Sequence, residues 1–142
     1  MSKLFIPILL GTVRQNAASD KVADWLTGQM KENENIETQI FDPEKFDLPM
    51  DGEDGDYKES NKEWKDAIIR ADGLIIIAPE YNHGYPGSMK RVLDLLLPEY
   101  IHKAVGFVGV SAGPFGGARV MERLVQVVRE LGLVSRFRDL SF

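Results

Sequence analysis

Cysteine is absent from the 142 residues. Its absence excludes a disulfide scaffold, a thiolate zinc site, an iron–sulfur cluster and a cysteine nucleophile, and it fits a reducing compartment. Histidine is scarce, with two residues, and neither has the carboxylate or histidine spacing of a metal site. His83 reads as a loop residue and His102 as a structural residue before a strand. Positive charge is not in excess: the formal net charge is -5. A general nucleic-acid surface is therefore excluded, and an anionic ligand needs a local site. Long hydrophobic runs are missing as well. The stretch Leu4 to Leu10 is too short for a membrane span and lacks a small-residue cleavage site. It reads as a strand of a cytoplasmic protein. There is no repeat, long linker or low-complexity tract.

What remains has the composition of a soluble domain, 44% hydrophobic and 27% charged, and the length of one domain, residues 1–142. Apolar runs alternate with helix-period segments. Leu4 to Leu10 is followed by a helix over Asp20 to Lys31, with Val22, Ala23, Leu26 and Met30 on one face and Ser19 as its N-cap. Ile36 to Phe41 alternates as a strand, stopped by Asp42-Pro43. Glu44 to Lys58 reads as a long loop whose acidic run, Asp51 to Asp56, is solvated or overhangs the site. A helix follows over Lys62 to Ala71, with Trp64, Ile68 and Ala71 inward. Leu74 to Ala78 is continuously apolar and β-branched, as in a parallel strand covered on both faces. A helix over Ser88 to Leu97, a strand over Ala104 to Val110, a helix over Ala118 to Leu131 capped by Gly132, and a last strand over Val134 to Leu140 complete the chain. Trp25 and Trp64 sit at helix-face spacing, as core or interface residues. This alternation predicts an α/β fold with a parallel, doubly wound sheet. Pro7 predicts a bulge or an unpaired position in the first strand.

In such sheets, ligands bind beyond the carboxyl ends of the strands. Three of these ends carry unusual sequences. Gly11-Thr-Val-Arg-Gln-Asn-Ala-Ala-Ser19 offers the hydroxyls of Thr12 and Ser19, the Arg14 guanidinium and helix-start amides, which suit a phosphate. It is neither a Walker A loop nor a Gly-x-Gly-x-x-Gly turn, and a capped turn with a surface arginine is the alternative. Pro79-Glu-Tyr-Asn-His-Gly-Tyr-Pro-Gly87 offers aromatic surface and close backbone approach, as a planar heterocycle requires, unless its tyrosines simply pack on neighbours. Glu80 in this loop is a candidate nucleophile or base, with no second carboxylate visibly paired to it. Ser111 to Gly117 is rich in glycine and suits an anion nest or a flexible turn. Phe115 there is either exposed, against a ligand, or core.

Together, these loops resemble the NADPH-dependent FMN reductase family of the flavodoxin-like superfamily, which includes chromate, quinone and azo-dye reductases. The matching residues are Gly11-Thr-Val-Arg14 with Ser19, then Pro79-Glu-Tyr-Asn-His-Gly-Tyr-Pro-Gly-Ser-Met-Lys90 with Asp94, then Ser111-Ala-Gly-Pro-Phe-Gly-Gly-Ala-Arg119. The Pro-Glu-Tyr-Asn motif is specific; the Gly-Thr-x-Arg loop alone is weak. The resemblance implies a flavodoxin-like, five-stranded parallel sheet in the order 2-1-3-4-5. It implies that Thr12, Arg14 and Ser19 hold the FMN phosphate, with Gln15 and Asn16 adding to that loop. Pro79, Glu80, Tyr81, Asn82 and Gly84 line the flavin ring, largely through backbone groups, and Ser111, Gly113, Gly116 and Gly117 approach the ring or the ribityl chain. The implied activity is FMN-dependent NAD(P)H oxidoreduction. NADPH or NADH is the donor and a small quinone, azo, nitro, metal-oxyanion or free-flavin molecule the acceptor, with no side chain as catalyst. Arg91 and Arg119 are candidates for the extra phosphate of NADPH. The alternatives are a non-catalytic FMN electron carrier or sensor, and a nucleoside or glycosyl transferase using Glu80.

The resemblance further implies a homodimer or tetramer, while the charge and the short apolar runs point to a cytoplasmic protein with no nucleic-acid or membrane partner. Family members usually carry a further helix after the last strand, which appears absent here because the sequence stops at Ser141-Phe142. Val134, Phe137, Leu140 and Phe142 are then expected to be partly exposed.

Overall fold

Pro7 divides the first apolar run into β1 (Leu4–Phe5) and β2 (Ile8–Leu10). The computed structural model describes residues 3–50, 53–135 and 139–142. In chain order there follow α1 (Ala18–Lys31), β3 (Ile36–Glu37), β4 (Ile40–Phe41), α2 (Tyr57–Ser60), α3 (Lys62–Arg70), β5 (Gly73–Pro79), α4 (Gly87–Asp94), β6 (Ala104–Val110), α5 (Ala118–Glu130), β7 (Val134–Ser135) and β8 (Leu140–Ser141). The strands pair in parallel in the order β4-β2-β5-β6-β7, with β8 also on β6 and β1 beside β3. With the divided strands counted once, this corresponds to 2-1-3-4-5.

The division at Pro7 has a simple cause. Ile6 and Ile8 donate toward the second strand, to Glu37 and Gln39, at 2.9 Å each. Pro7 faces β5, accepts from the Ile75 amide at 3.0 Å, and has no N–H to return. It is thus half paired, accepting but not donating, where the sequence suggested a bulge or an unpaired position. The second strand is interrupted too, because the Thr38 hydroxyl donates to the Ile6 carbonyl at 2.8 Å where a ladder amide otherwise would.

The sheet is buried on both faces by unequal means. Phe5, Leu9, Leu74, Ile76 and Phe107 pack with α3, α4 and α5. On the opposite face, Ile8, Leu10, Ile77, Val108 and Val110 pack with Ala23, Leu26 and Met30 of α1, the only helix among the described residues to join that cluster. Fully burying a side chain such as Ile68 or Ile76 contributes about 1.5–3 kcal/mol. Trp64 is core: it meets Phe41 and Phe46 edge to face at 5.0 and 5.8 Å, and its Nε1 donates to the buried Tyr100 hydroxyl at 3.2 Å. Burial pushes the Tyr100 phenol above its ordinary range.

Some boundaries differ from the sequence reading. Helix α1 starts at Ala18, so Ala17 is its N-cap and Ser19 lies inside the first turn. The Asp20 carboxylate reaches back to the Ala17 amide at 3.0 Å, which fixes that start. The long loop is anchored and partly regular. It holds a 3-10 turn at Pro43–Lys45 and α2, and its Asp47 backbone is gripped by Asn61 on both sides at 3.0 and 2.7 Å. Helix α4 ends at Asp94, before a 3-10 turn at Pro98–Tyr100. The last strand is seen as β7 and β8. Phe137, and Asp51 of the acidic run, lie outside the described residues. Val134, Leu140 and Phe142 are 57%, 45% and 45% exposed, and Phe142 meets the half-exposed Trp25 of α1 at 5.3 Å.

Candidate functional site

Three loops leave the carboxyl ends of neighbouring parallel strands: loop 1 (residues 11–17) after β2, loop 2 (80–86) after β5, and loop 3 (111–117) after β6. The parallel register sets them side by side. Gly11 makes the first approach possible, since a Cβ there would lie 2.3 Å from the Ile77 carbonyl and 2.8 Å from Pro79 Cδ. A side chain in that position would drive loop 1 away from β5.

Loop 1 carries Thr12 buried and Arg14, Gln15 and Asn16 exposed. The Arg14 amide donates to Thr12 Oγ1 at 3.1 Å. At the start of α1, the Ala18 and Ser19 amides have no intrahelical acceptor, and Ala17 has no side chain to cap them. The Ser19 hydroxyl is buried and has no partner among the described residues. Arg14 has no ion-pair partner among them either. Free amides, an unsatisfied hydroxyl and an uncommitted guanidinium are the groups an anion cradle requires.

Loop 2 begins where Pro79 ends β5, opposite Val110. The Glu80 amide donates to the Val110 carbonyl at 2.9 Å, which ties loop 2 to the end of β6. Tyr81 and Gly84 exchange two backbone bonds of 2.9 Å, closing a tight turn over Asn82 and His83. Both turn residues have positive φ, 50° and 65°, the signature of a primed turn. Tyr81 stands 40% exposed, and its hydroxyl lies 2.8 Å from Thr12 Oγ1, linking loops 1 and 2. The Glu80 side chain is only 9% exposed. Its Oε1 lies 3.4 Å from Arg119, and its Oε2 has no partner among the described residues.

Loop 3 is closed on itself by Ser111, whose hydroxyl accepts from the Gly117 amide at 3.1 Å and donates to the Gly113 carbonyl at 3.2 Å. Gly117 has φ +75°, and a Cβ on it would lie 2.7 Å from the Val110 amide nitrogen. Phe115 is exposed, with the Arg119 guanidinium 4.5 Å from its ring centre. The Ser111 amide also donates to the Phe142 carbonyl at 3.1 Å, so the last described residues brace this loop.

Pro79, Glu80, Tyr81, Asn82 and Gly84 therefore lie between Thr12, Arg14 and Ser19 on one side and Ser111, Gly113, Gly116 and Gly117 on the other. Arg91 does not join them. Its Nε and Nη2 donate to the Pro49 and Leu48 carbonyls at 2.8 and 2.6 Å, which holds the long loop on α4 and leaves no fork for a phosphate. Sequence spacing could not show the Thr12–Tyr81 link or the Glu80–Arg119 pair. The only signal for the first approach of the loops was a glycine closing an apolar strand.

An NAD(P)H-dependent FMN reductase of Schizosaccharomyces pombe is 33% identical over 135 residues, which cover 86% of this chain and 64% of that protein. A quinone reductase of Escherichia coli K12 is 31% identical over 132 residues, 89% of this chain and 70% of that one. The chain thus spans less than two thirds of the fission yeast relative. Among solved structures, the flavoenzyme NAD(P)H:(acceptor) oxidoreductase FerB of Paracoccus denitrificans superposes with a TM-score of 0.81 at 24% identity, over 96% of this chain and 78% of that one. That likeness establishes the flavodoxin-like α/β fold. The sequence pattern of the NADPH-dependent FMN reductase family runs through residues 5–139, and the chain belongs to that family.

Proposed function

We propose that this protein is an FMN-dependent NAD(P)H oxidoreductase, a single FMN-binding domain over residues 1–142 that reduces a small acceptor of the quinone, azo, nitro, metal-oxyanion or free-flavin class. One observation carries the reading: an uncapped helix start with an unsatisfied buried serine hydroxyl lies beside an aromatic turn, in a chain of the FMN reductase family. FMN, when bound, supplies the hydride and electron chemistry.

The residues present fit that group. Thr12, Arg14 and Ser19, with the free amides of Ala18 and Ser19, would take the phosphate, and Gln15 and Asn16 border it. Pro79, Glu80, Tyr81, Asn82 and Gly84 would line the ring. Their backbone is held rigid by the Tyr81–Gly84 bonds and the Glu80–Val110 bond. Ser111, Gly113, Gly116 and Gly117 would close the third side. The Ser111 hydroxyl is already engaged within its loop, so this side contributes shape and backbone groups. Arg119 remains the cation for the extra phosphate of NADPH, beside a cleft of about 370 Å³ that Arg123 and His83 also line.

Family and relatives favour this reading over an electron carrier and over glycosyl transfer by Glu80, whose carboxylate is paired with Arg119. The exposed Trp25, Leu140 and Phe142 support self-association as a dimer or tetramer. Among the described residues no helix is long and apolar enough to cross a membrane, and we place the protein in the cytoplasm. The purified protein is expected to bind FMN and turn yellow, and NADPH is expected to bleach that absorbance without oxygen. A colourless protein that takes up no added FMN overturns the proposal.

A further inference from the structure

Loop 3 is not held by its own bonds alone. The segment Leu140–Phe142 runs along its base. Leu140 and Ser141 pair in parallel with Val108 and Gly109 of β6. The Phe142 amide then donates to the Gly109 carbonyl at 2.9 Å, and the Phe142 carbonyl accepts from the Ser111 amide at 3.1 Å, at the first residue of loop 3. The segment is also seated against the far end of the loop. A Cβ on Gly116 would lie 2.7 Å from Ser141 Cβ and 3.3 Å from the Phe142 amide nitrogen. Both ends of loop 3 thus rest on Ser141 and Phe142.

Those residues have little else to hold them. Strand β8 is two residues long, and Leu140 and Phe142 are largely in solvent. Among the described residues the Phe142 ring has one aromatic partner, Trp25 of α1, met edge to face at 5.3 Å. Trp25 is itself half-exposed and lies off the α1 face that Ala23, Leu26 and Met30 bury. The core does not account for it. Resting on the placement of the flavin beside loop 3, we propose that Trp25 and Phe142 are positioning residues for flavin binding. Their contact clasps residues 140–142 under loop 3 and keeps the loop in the arrangement that accepts the flavin. One aromatic pair is small against the whole fold, but large against a segment secured by two ladder pairs and two flanking backbone bonds. Loosening the segment leaves the Ser111 bonds to Gly113 and Gly117 intact. The loop then keeps its turn and loses its place, and affinity falls with the fraction of molecules in which it is in place.

The test is titration of the flavin-freed protein with FMN and with riboflavin, by flavin fluorescence, joined to amide hydrogen exchange. Trp25→Ala and Phe142→Ala are each expected to raise both Kd values about three- to ten-fold, the span of one aromatic pair. An equal loss for the two ligands marks the ring side of the site rather than the phosphate. The double variant is expected to lose about as much as the larger single loss, because both act through one contact. Trp25→Phe keeps an aromatic edge and is expected to bind within about two-fold of wild type. Exchange at the Ser111 and Phe142 amides is expected to quicken in Trp25→Ala while the β5 amides hold, which global destabilisation would not produce. Kd values within about two-fold of wild type in both single variants overturn the proposal. So do losses that add in the double variant, and a loss that disappears as protein concentration rises, which belongs to self-association. Gly117→Ala displaces loop 3 directly. If it too leaves flavin binding intact, the placement of the flavin beside loop 3 is overturned along with the proposal. A protein that binds neither flavin overturns the functional reading itself.

Discussion

The Thr12 and Tyr81 hydroxyls lie 2.8 Å apart and join the loops of two adjacent strands across the mouth of the site. Thr12 is buried, and its oxygen also accepts from the Arg14 amide at 3.1 Å, whereas the Tyr81 ring is 40% exposed. The two ends of this bond therefore differ in cost. Tyr81→Phe is expected to destabilise by about 0.5–1.5 kcal/mol, and Thr12→Val by about 1–3 kcal/mol, because the valine also strands the Arg14 amide. Urea unfolding of both variants checks the order. A Thr12→Val as mild as Tyr81→Phe contradicts it.

Arg14 is expected to distinguish a phosphorylated flavin from a plain one. Arg14→Ala should weaken FMN binding by about ten-fold to a hundred-fold, the range of a hydrogen bond to a charged group. Riboflavin, which has no phosphate, should lose little. Equal losses for the two ligands, measured by fluorescence titration, would remove Arg14 from the phosphate cradle.

Loop 3 contains two glycines with opposite tolerances. Gly117 is left-handed at φ +75°, and its Cβ would lie 2.7 Å from the Val110 nitrogen, while nothing lies within 4 Å of a Cβ on Gly113. Gly117→Ala is expected to cost on the order of 1–3 kcal/mol. Gly113→Ala is expected to stay within about 0.5 kcal/mol of wild type. Thermal unfolding of the pair settles whether loop 3 is held by its backbone conformation.

Away from the site, Glu99 ties a turn to α2. Burial raises its carboxyl, but its own amide, the Leu97 amide and the Lys58 ammonium at 3.2 Å outweigh burial and hold it below the ordinary carboxylate value. A lowered folded-state value means that this stabilisation is present above the unfolded carboxyl range, near about 4.3, and is lost as pH falls through the folded value. The cost of Glu99→Gln is expected to be at most about 1 kcal/mol at pH 7 and to shrink toward zero on acidification. A cost that grows on acidification contradicts the assignment.

Much of this was legible in the chain because each element carries its own pattern. The β-branched run of β5, the strand at Ala104–Val110 and the amphipathic α5 need no tertiary information, and the three loops are conspicuous as interruptions between them. Other features depend on partners distant in sequence. Arg91 looked available until the Leu48 and Pro49 carbonyls claimed it, 43 and 42 residues away. Ser19 looked like a cap until Asp20 fixed the helix start at Ala17. The break in the second strand depends on a threonine hydroxyl reaching across to Ile6. Each is a side-chain-to-backbone bond, which hydrophobic period does not encode.

The strands differ in how firmly they hold their neighbours. The β5–β6 ladder runs through seven residue pairs, from Gly73 with Ala104 to Pro79 with Val110. The β2–β5 ladder has three pairs and starts just after a proline that accepts one bond from β5 but donates none. Amide hydrogens should therefore exchange slowest in β5 and β6, sooner around β2, and soonest in the two-residue β7 and β8. Loops 2 and 3 spring from the slow pair and loop 1 from the faster strand. The aromatic side of the candidate site is thus expected to rest on the strands that open least, and loop 1 on one that opens more often.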